Sequence, residues 1–425
     1  MNIQEIKTAI ANGKLNDKFN MLYGETESAV IRYTEALDEF SKLYGDAENI
    51  RIFSAPGRTE IGGNHTDHQH GSVLAGSVNL DVIAIVALNC DGKIRIKSKG
   101  YDMDVVDVGD FEKNDKEKGR ASALIRGVCS RFVQMGCEIK GFNAYTTSNV
   151  LKGSGLSSSA AFEVLVGNIV NGLFFENKAE PIEIAKIGQF AEREYFGKPC
   201  GLLDQMASSL GGFTYADFFD PSNPVTESIG LDINSFGYTL CVVDTGGNHA
   251  NLTQDYADIT IECKQISNAV GVEFLRDADT NKFYDSIADL RAQFGDRAVL
   301  RAYHFFNEHE RVLAQRKALK NNDFEGFLKL VNESGESSYD YLQNLYSTSN
   351  VSEQGLSLGI ALTKGFLKGH GACRVHGGGF AGTIQCYIPT EMYVSYEAMI
   401  EKVFGKGSCV KLFVRPVGGY EIKFN

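Results

Sequence analysis

The sequence has no concentrated run of lysine and arginine, no Cys-x-x-Cys pair, and no apolar stretch long enough to cross a bilayer. Each absence excludes a class of function. With 42 basic against 54 acidic side chains the net charge is -12, which repels polyphosphate backbones, so nucleic acid is not expected as a partner. The nine cysteines (90, 129, 137, 200, 241, 263, 373, 386, 409) are odd in number and scattered, which fits free buried thiols in a reducing cytosol better than zinc or dithiol chemistry. The opening MNIQEIKTAIANGKLNDK lacks the apolar core of a signal peptide, and the most apolar short run, residues 82–88, is far too short to span a membrane. A cytoplasmic chain without membrane attachment is therefore expected. No internal repeat or low-complexity tract is visible.

What is present is a 425-residue chain, 43% hydrophobic and 23% charged, a soluble globular composition. At roughly 100–200 residues per domain it has room for two or three. Helical periodicity places Val30, Tyr33, Leu37, Phe40 and Tyr44 on one face, with Gly45 as the C-terminal cap. VNLDVIAIVALN (78–89), an Asp91-Gly92 turn and KIRIKS (93–98) predict a β-hairpin. Further helical patterns cover 121–134, 160–175 and 182–195, the last opened by Pro181. Residues 220–236 read as a connection, FGYTLCVVDTG as a buried strand after it, then long helices to about residue 347, a glycine-dense strand-turn-strand region and a last strand near 411–416. The domain boundary is placed in that connection, giving units 1–235 and 236–425.

Three stretches could carry chemistry. GRTEIGGNHTDHQHG (57–71) packs one Arg, one Glu, one Asp and three His between glycines, so that a polar loop outside the core is expected. His65, Asp67, His68 and His70 are all metal-ligand types at close spacing; a solvated loop and a polyol site, where carboxylates and imidazoles hydrogen-bond vicinal hydroxyls, fit the same residues. LKGSGLSSSAAFEVLVGNIVNGLFF (151–175) runs a Gly-Ser loop into an apolar helix, offering an anion free N–H groups and the positive dipole end; an ordinary serine helix cap is the alternative. It is neither a Lys-containing P-loop nor a dinucleotide fingerprint. HGGGFAGTIQCYIP (376–389) formally holds G-x-G-x-x-G, but the following alternation is that of a strand, which excludes a Rossmann turn and leaves close backbone approach as the use of its glycines. Asp204, in GKPCGLLDQMASS, would alone be taken for a helix cap.

In this order, these stretches resemble the GHMP family of small-molecule kinases, and within it the galactokinases. The first is similar to the galactokinase signature, G-L-S-S-S-A to the nucleotide loop, and the third to the C-terminal glycine motif. CGLLDQ is similar to the catalytic-aspartate segment, and HANLTQDY (249–256) carries the family's His and Tyr spacing. The resemblance covers about residues 53–416. It implies an α+β kinase of two domains with the active site in the cleft between them, and transfer of the terminal phosphoryl group of ATP to the anomeric hydroxyl of galactose, with Mg2+. Carried over, it makes Arg58 and Asp204 catalytic and lines the sugar with Asn64, His65, Asp67, Gly201 and Tyr256. Gly153, Gly155, Ser157, Ser158, Ser159, Gly378 and Gly379 would hold the nucleotide, with Ser158, Ser159 and Glu192 near the metal.

The chain departs from that pattern at Asn64, where the family has Glu, at Glu60, where it has Asn, at His68, where it has Tyr, and at Gly335, commonly His. An amide carries no charge and can donate, so Asn64 opens the way to a sugar with a C6 carboxylate, galacturonate, or to N-acetylgalactosamine, unless Glu60 restores the acceptor. A sugar and ATP sensor without turnover is the other alternative.

Overall fold

The computed structural model describes residues 1–150, 155–198, 200–247 and 252–424. The strands are β1 (Arg51–Gly62), β2 (Ser72–Leu88), β3 (Lys93–Ser98), β4 (Met103–Asp107), β5 (Phe142–Ser148), β6 (Phe213–Asp217), β7 (Val225–Ile229), β8 (Tyr238–Asp244), β9 (Ala372–Val375), β10 (Thr383–Pro389), β11 (Cys409–Leu412) and β12 (Tyr420–Ile422). One sheet has the order β12-β1-β2-β5-β3-β4, with β6 on the free end of β2 and β7 beside it; the other has the order β11-β8-β10-β9. Every described pairing is antiparallel except β3 with β5, whose crossover carries the helix Ala121–Gln134. Strands gathered into two sheets with helices against their faces make an α+β fold.

The period-two alternation of the strands decides what packs where. Ile52, Ile83 and Ile85 meet Phe19, Tyr33, Leu37 and Phe40 from the first three helices, Ile3–Ala11, Asn16–Tyr23 and Glu27–Tyr44. Their neighbours Phe53, Val82, Ala84 and Val86 face the other way, onto the helices Ala121–Gln134 and Ser158–Phe174. In the second sheet, Cys241, Val243, Ile384 and Cys386 bury the helices Gly355–Leu367 and Tyr393–Phe404. Leu240, Val242 and Tyr387 join Phe324 and Phe327 in the same apolar cluster as Phe53, so one core runs between the sheets.

Several local expectations hold: the helix ending at Gly45 with φ 74°, the helix Ala121–Gln134, Pro181 opening Pro181–Phe190, and β8. Others are corrected. β2 and β3 are strands, but they do not form a hairpin, because β5 inserts between them. Asn89 bridges the gap, donating from Nδ2 to Lys93 O and Asn143 Oδ1, both at 2.9 Å. The true hairpin is β3–β4. The connection 220–236 contains β7, held by its partner β6 rather than by its own weak pattern. The last sheet strand is β12, paired with β1, and not the segment near 411–416, where β11 ends at Leu412. The 182–195 pattern changes from α to π geometry at Ala191–Phe196.

The fold is pinned by a buried carboxylate, Asp81 on β2. It accepts from Tyr23 Oη at 2.7 Å and from Ser54, and pairs with Arg32 of the third helix and the fully buried Arg415. Removing it strands two guanidinium groups away from water. Asp81→Ala is expected to lose roughly 3–5 kcal/mol in denaturant unfolding, the cost of a broken buried pair; a loss below about 1 kcal/mol, the surface-pair range, would show the cluster to be incidental.

Candidate active site

Six segments converge on a cavity of about 520 Å³. β1 brings Arg58 and Glu60; the 63–71 connection brings Asn64, His65 and Asp67; the loop before the helix Ser158–Phe174 brings Gly155; and Asp204 is the second residue of Leu203–Leu210. Tyr256 comes from Thr253–Ala269, and Gly378 and Gly379 from the turn between β9 and β10.

The stretch 57–71 is not a polar loop outside the core. Its first half is strand, and Arg58, Glu60 and Asn64 are buried. β1 is bulged against β2 on both sides of the segment 58–60, at Pro56/Arg58 and at Glu60/Gly62, a device that re-aims side chains beside sites. Arg58 Nε donates to Asp204 Oδ1 at 2.8 Å, its Nη2 lies 2.6 Å from the same oxygen, and Nη1 reaches Gly155 O. Ser157 does not cap its helix. Its φ is 54°, its side chain makes no capping bond, and its Oγ donates to Asp204 Oδ2. The first N–H groups of the helix are thus left without a serine cap, the arrangement an anion needs.

The glycine turn is held by its carbonyls. Asn64 Nδ2 donates to Gly377 O at 2.6 Å, Asn344 Nδ2 to Gly378 O at 3.0 Å, and Tyr256 Oη to Gly379 O at 2.9 Å; His65 Nε2 lies 2.9 Å from Gly378 O. Gly377 and Gly379 have φ of 68° and 81°, and a Cβ at Gly379 would fall 2.1 Å from Asn344 O, so only glycine fits there. A Cβ at Gly378 would meet Tyr256 Cε1 at 2.6 Å, and one at Gly201 would meet Asp67 Oδ2 at 2.7 Å.

Asn64 is fully buried and nearly saturated. Besides Gly377 O, its amide donates to Glu60 Oε1 at 2.8 Å, and its Oδ1 accepts from Asn344 Nδ2 at 2.7 Å. Glu60 in turn pairs with the buried Arg374 at 2.8 Å. Burial raises the Glu60 carboxyl above its usual range, opposed by the Arg374 and Arg58 charges. Burial and then His68 lower His65 to about 4, and burial also lowers His304, which lies 3.0 Å from Asn64 O.

The three signature imidazoles do not converge on one point: His65 turns to Gly378 with the ring of the exposed His68 5.9 Å away, and His70 stacks on Phe274 at 3.6 Å. They do not form a metal centre, and no group of three or more His, Cys, Asp or Glu that could hold an ion occurs among the described residues. At the helix start Ser159 Oγ donates to Glu192 Oε1 at 3.1 Å, and Lys198 Nζ lies at the same distance. Gln205 Nε2 bridges Glu163 Oε2 and Glu192 Oε2 at 2.9 and 2.8 Å, leaving Glu163 Oε1 buried with no hydrogen bond. Ser158 begins the same helix. Gly153, and His249 of the HANLTQDY stretch, lie outside the described residues.

Arg374, Asn344, Glu163 and Gln205 escaped the sequence reading. Arg374 stands two residues before the glycine motif, and Glu163 and Gln205 read as ordinary helix positions. Gly335 is a packing position: a Cβ there would lie 3.0 Å from Arg374 Cβ.

A model of the galactokinase galactose-binding signature matches residues 38–88, and a model of the GHMP kinases N terminal domain matches residues 123–212. A galactokinase from Glaesserella parasuis serovar 5 is 30% identical over 359 residues, covering 83% of this chain and 88% of the relative. The chain belongs to the galactokinase family. A second galactokinase, from Actinobacillus pleuropneumoniae, is 30% identical over 366 residues, covering 84% of this chain and 90% of that protein. The structure of Lactococcus lactis galactokinase complexed with galactose superposes with a TM-score of 0.77 at 22% identity, over 92% of this chain and all of that one, which shows the galactokinase fold.

Beside the cavity lies one group that burial should keep neutral. Burial and then the Glu192 charge raise the Glu163 carboxyl well above its ordinary value. A raised native pKa means that stability declines as pH rises past the unfolded-state value of about 4.3. The neutral isostere Glu163→Gln is therefore expected to melt like wild type near pH 5 and above it at pH 8; parallel melting curves at both pH values would place the proton elsewhere.

Proposed function

We propose that this galactokinase-family chain transfers the terminal phosphoryl group of ATP to the anomeric hydroxyl of D-galactose, giving galactose 1-phosphate and ADP. The observation that carries the reading is the Arg58–Asp204 pair on the wall of the cavity, beside a helix start that no serine caps. Such transfer asks the protein mostly for positioning and charge neutralisation. Asp204 takes the proton of the anomeric hydroxyl as its oxygen bonds to phosphorus and the bond to the ADP oxygen breaks. Arg58 fixes the carboxylate and favours the alkoxide-like oxygen.

Asn64, His65, Asp67, Gly201 and Tyr256 surround the sugar, directly or by shaping the glycine turn over it. Gly155, Ser157, Ser158, Ser159 and the segment's Gly153 receive the phosphates at the helix start, with Gly378 and Gly379 closing from the other side. The turn's three carbonyls are held by Asn64, Asn344, His65 and Tyr256, while none of the N–H groups of Gly377, Gly378 and Gly379 has an acceptor among the described residues. Three N–H donors in succession without a protein acceptor suit a polyphosphate.

Mg2+ fits the donors beside them: the hydroxyls of Ser158 and Ser159 and the Glu192 carboxylate are all oxygens, and this ion commonly takes one or two carboxylates and completes its shell with phosphates and water. When bound it would neutralise the transferring phosphates. Units 1–235 and 236–425 flank the cleft, with β12 returning to the first sheet. The partners are the sugar and ATP; among the described residues no helix is long and apolar enough to cross a membrane.

Galacturonate and N-acetylgalactosamine gain no support. Their case rested on Asn64 being uncharged and able to donate, whereas both of its amide hydrogens are engaged, by Glu60 and by Gly377 O, and the acid Glu60 lines the same cavity. The sensor reading gains none either, since the acid and the guanidinium are already paired at the cavity.

Asp204→Asn is expected to keep the fold and ATP binding and to lower kcat on galactose about 10²–10⁴-fold, the usual contribution of a positioned base. Coupled ADP release measures the rate and nucleotide titration the binding. A near-wild-type kcat would remove Asp204 from the mechanism.

A further inference from the structure

We infer that Glu60, and not Asn64, reads the sugar hydroxyls farthest from the anomeric centre. This rests on the galactose reading above and deepens it.

The first support is the state of the two residues. Asn64 has no surface, and its amide hydrogens and carbonyl oxygen are engaged. Glu60 is 94% buried by area, at 6% exposure, yet its carboxylate is only half used. Oε1 accepts from Asn64 Nδ2 and from Arg374 Nη2, both at 2.8 Å. Oε2 accepts no hydrogen bond from the described residues, and it is not one of the atoms sealed away without a partner, so it keeps surface in a residue that lines the cavity. A carboxylate oxygen anchored at one end by a fixed cation and open at the other is a prepared acceptor for a hydroxyl.

The second support is its place on the strand. Arg58, Thr59 and Glu60 pair in unbroken register with Ser77, Gly76 and Ala75, so Arg58 and Glu60 share a face. Two residues of strand separate them by about 7 Å, comparable to the length of a pyranose. With the anomeric oxygen at Arg58 and Asp204, Glu60 meets the opposite edge of the ring, where the C4 and C6 hydroxyls lie. A carboxylate at C6 would set two anions against each other in a buried place, which opposes galacturonate directly.

The test compares kcat/KM for D-galactose, 6-deoxygalactose, 4-deoxygalactose and D-galacturonate, with ATP, in wild type and Glu60→Gln. Gln keeps an oxygen for Arg374 and Asn64 and replaces the cavity-facing oxygen by a donor. A hydrogen bond to a charged group is worth about 1.5–3 kcal/mol, or roughly 10–150-fold. Wild type is expected to prefer galactose by that factor over at least one deoxy sugar, the affected position identifying the hydroxyl. In Glu60→Gln that preference is expected to fall toward unity, galactose losing more kcat/KM than the deoxy sugar, and galacturonate to improve relative to galactose. Equal kcat/KM for galactose and both deoxy sugars in wild type would overturn the inference without any variant. So would a preference unchanged in Glu60→Gln, or an equal loss on all sugars, which marks a purely structural role. If wild type forms no sugar phosphate from galactose, the galactose reading fails, and this inference falls with it.

Discussion

The site depends on a buried ion pair between two strands of different sheets. Glu60 of β1 meets Arg374 of β9 at 2.8 Å, and the same guanidinium donates to Ile61 O at 2.7 Å. Gln385 of β10 adds bonds to Thr59 Oγ1 at 2.6 Å and Glu60 O at 2.8 Å. These contacts tie the strand carrying Arg58 to the turn carrying Gly378. Buried ions stripped of water are tolerated only with such dense partnering. The polar seam also makes the approach of the sheets specific, which the apolar core alone does not do, since dispersion and hydrophobic burial are indifferent to small shifts in register.

Behind this seam lies a second polar layer. Gly63 N donates to Glu308 Oε1 at 3.0 Å, and Ser334 Oγ donates to the same oxygen at 2.6 Å. Burial works against the Glu308 charge, but Arg311, His304 and Arg374 outweigh it and hold the carboxyl at about 2. Glu163 is the contrasting case, with a carboxylate rather than a cation as its neighbour. Two buried acids of one chain are thus driven in opposite directions by the sign of what stands next to them.

The motif residues were legible because phosphoryl chemistry constrains them locally: a glycine-serine helix start, a short acid in a small-residue setting, and glycines where backbone must come close. Arg58, Asp204, Tyr256 and Gly379 do share one cavity. What the sequence concealed depends on distant contacts. The strand nature of 57–62 is masked by its polar residues, and these and the neighbouring Asn64 are partnered by Arg374 and Asn344, which arrive from 314 and 280 positions away. The false hairpin has a similar cause. Asp91-Gly92 is a sound turn signal, and Gly92 does take a φ of 68°, but β5, about fifty residues later, decides which strands pair. β7 was missed because its pattern is weak and its register comes from β6.

The pairing of β12 with β1 has a consequence for biosynthesis. Ile52 sits opposite Ile422, and Arg51 grips Glu421 at 2.6 Å, so the outer side of β1 is covered by residues made 370 positions later. Until those residues emerge from the ribosome that side is an open sheet edge, the kind of surface that recruits wrong partners. Translation must pass residue 422 before the first sheet can be sealed, and a nascent chain stalled before that point carries its most important strand half-protected.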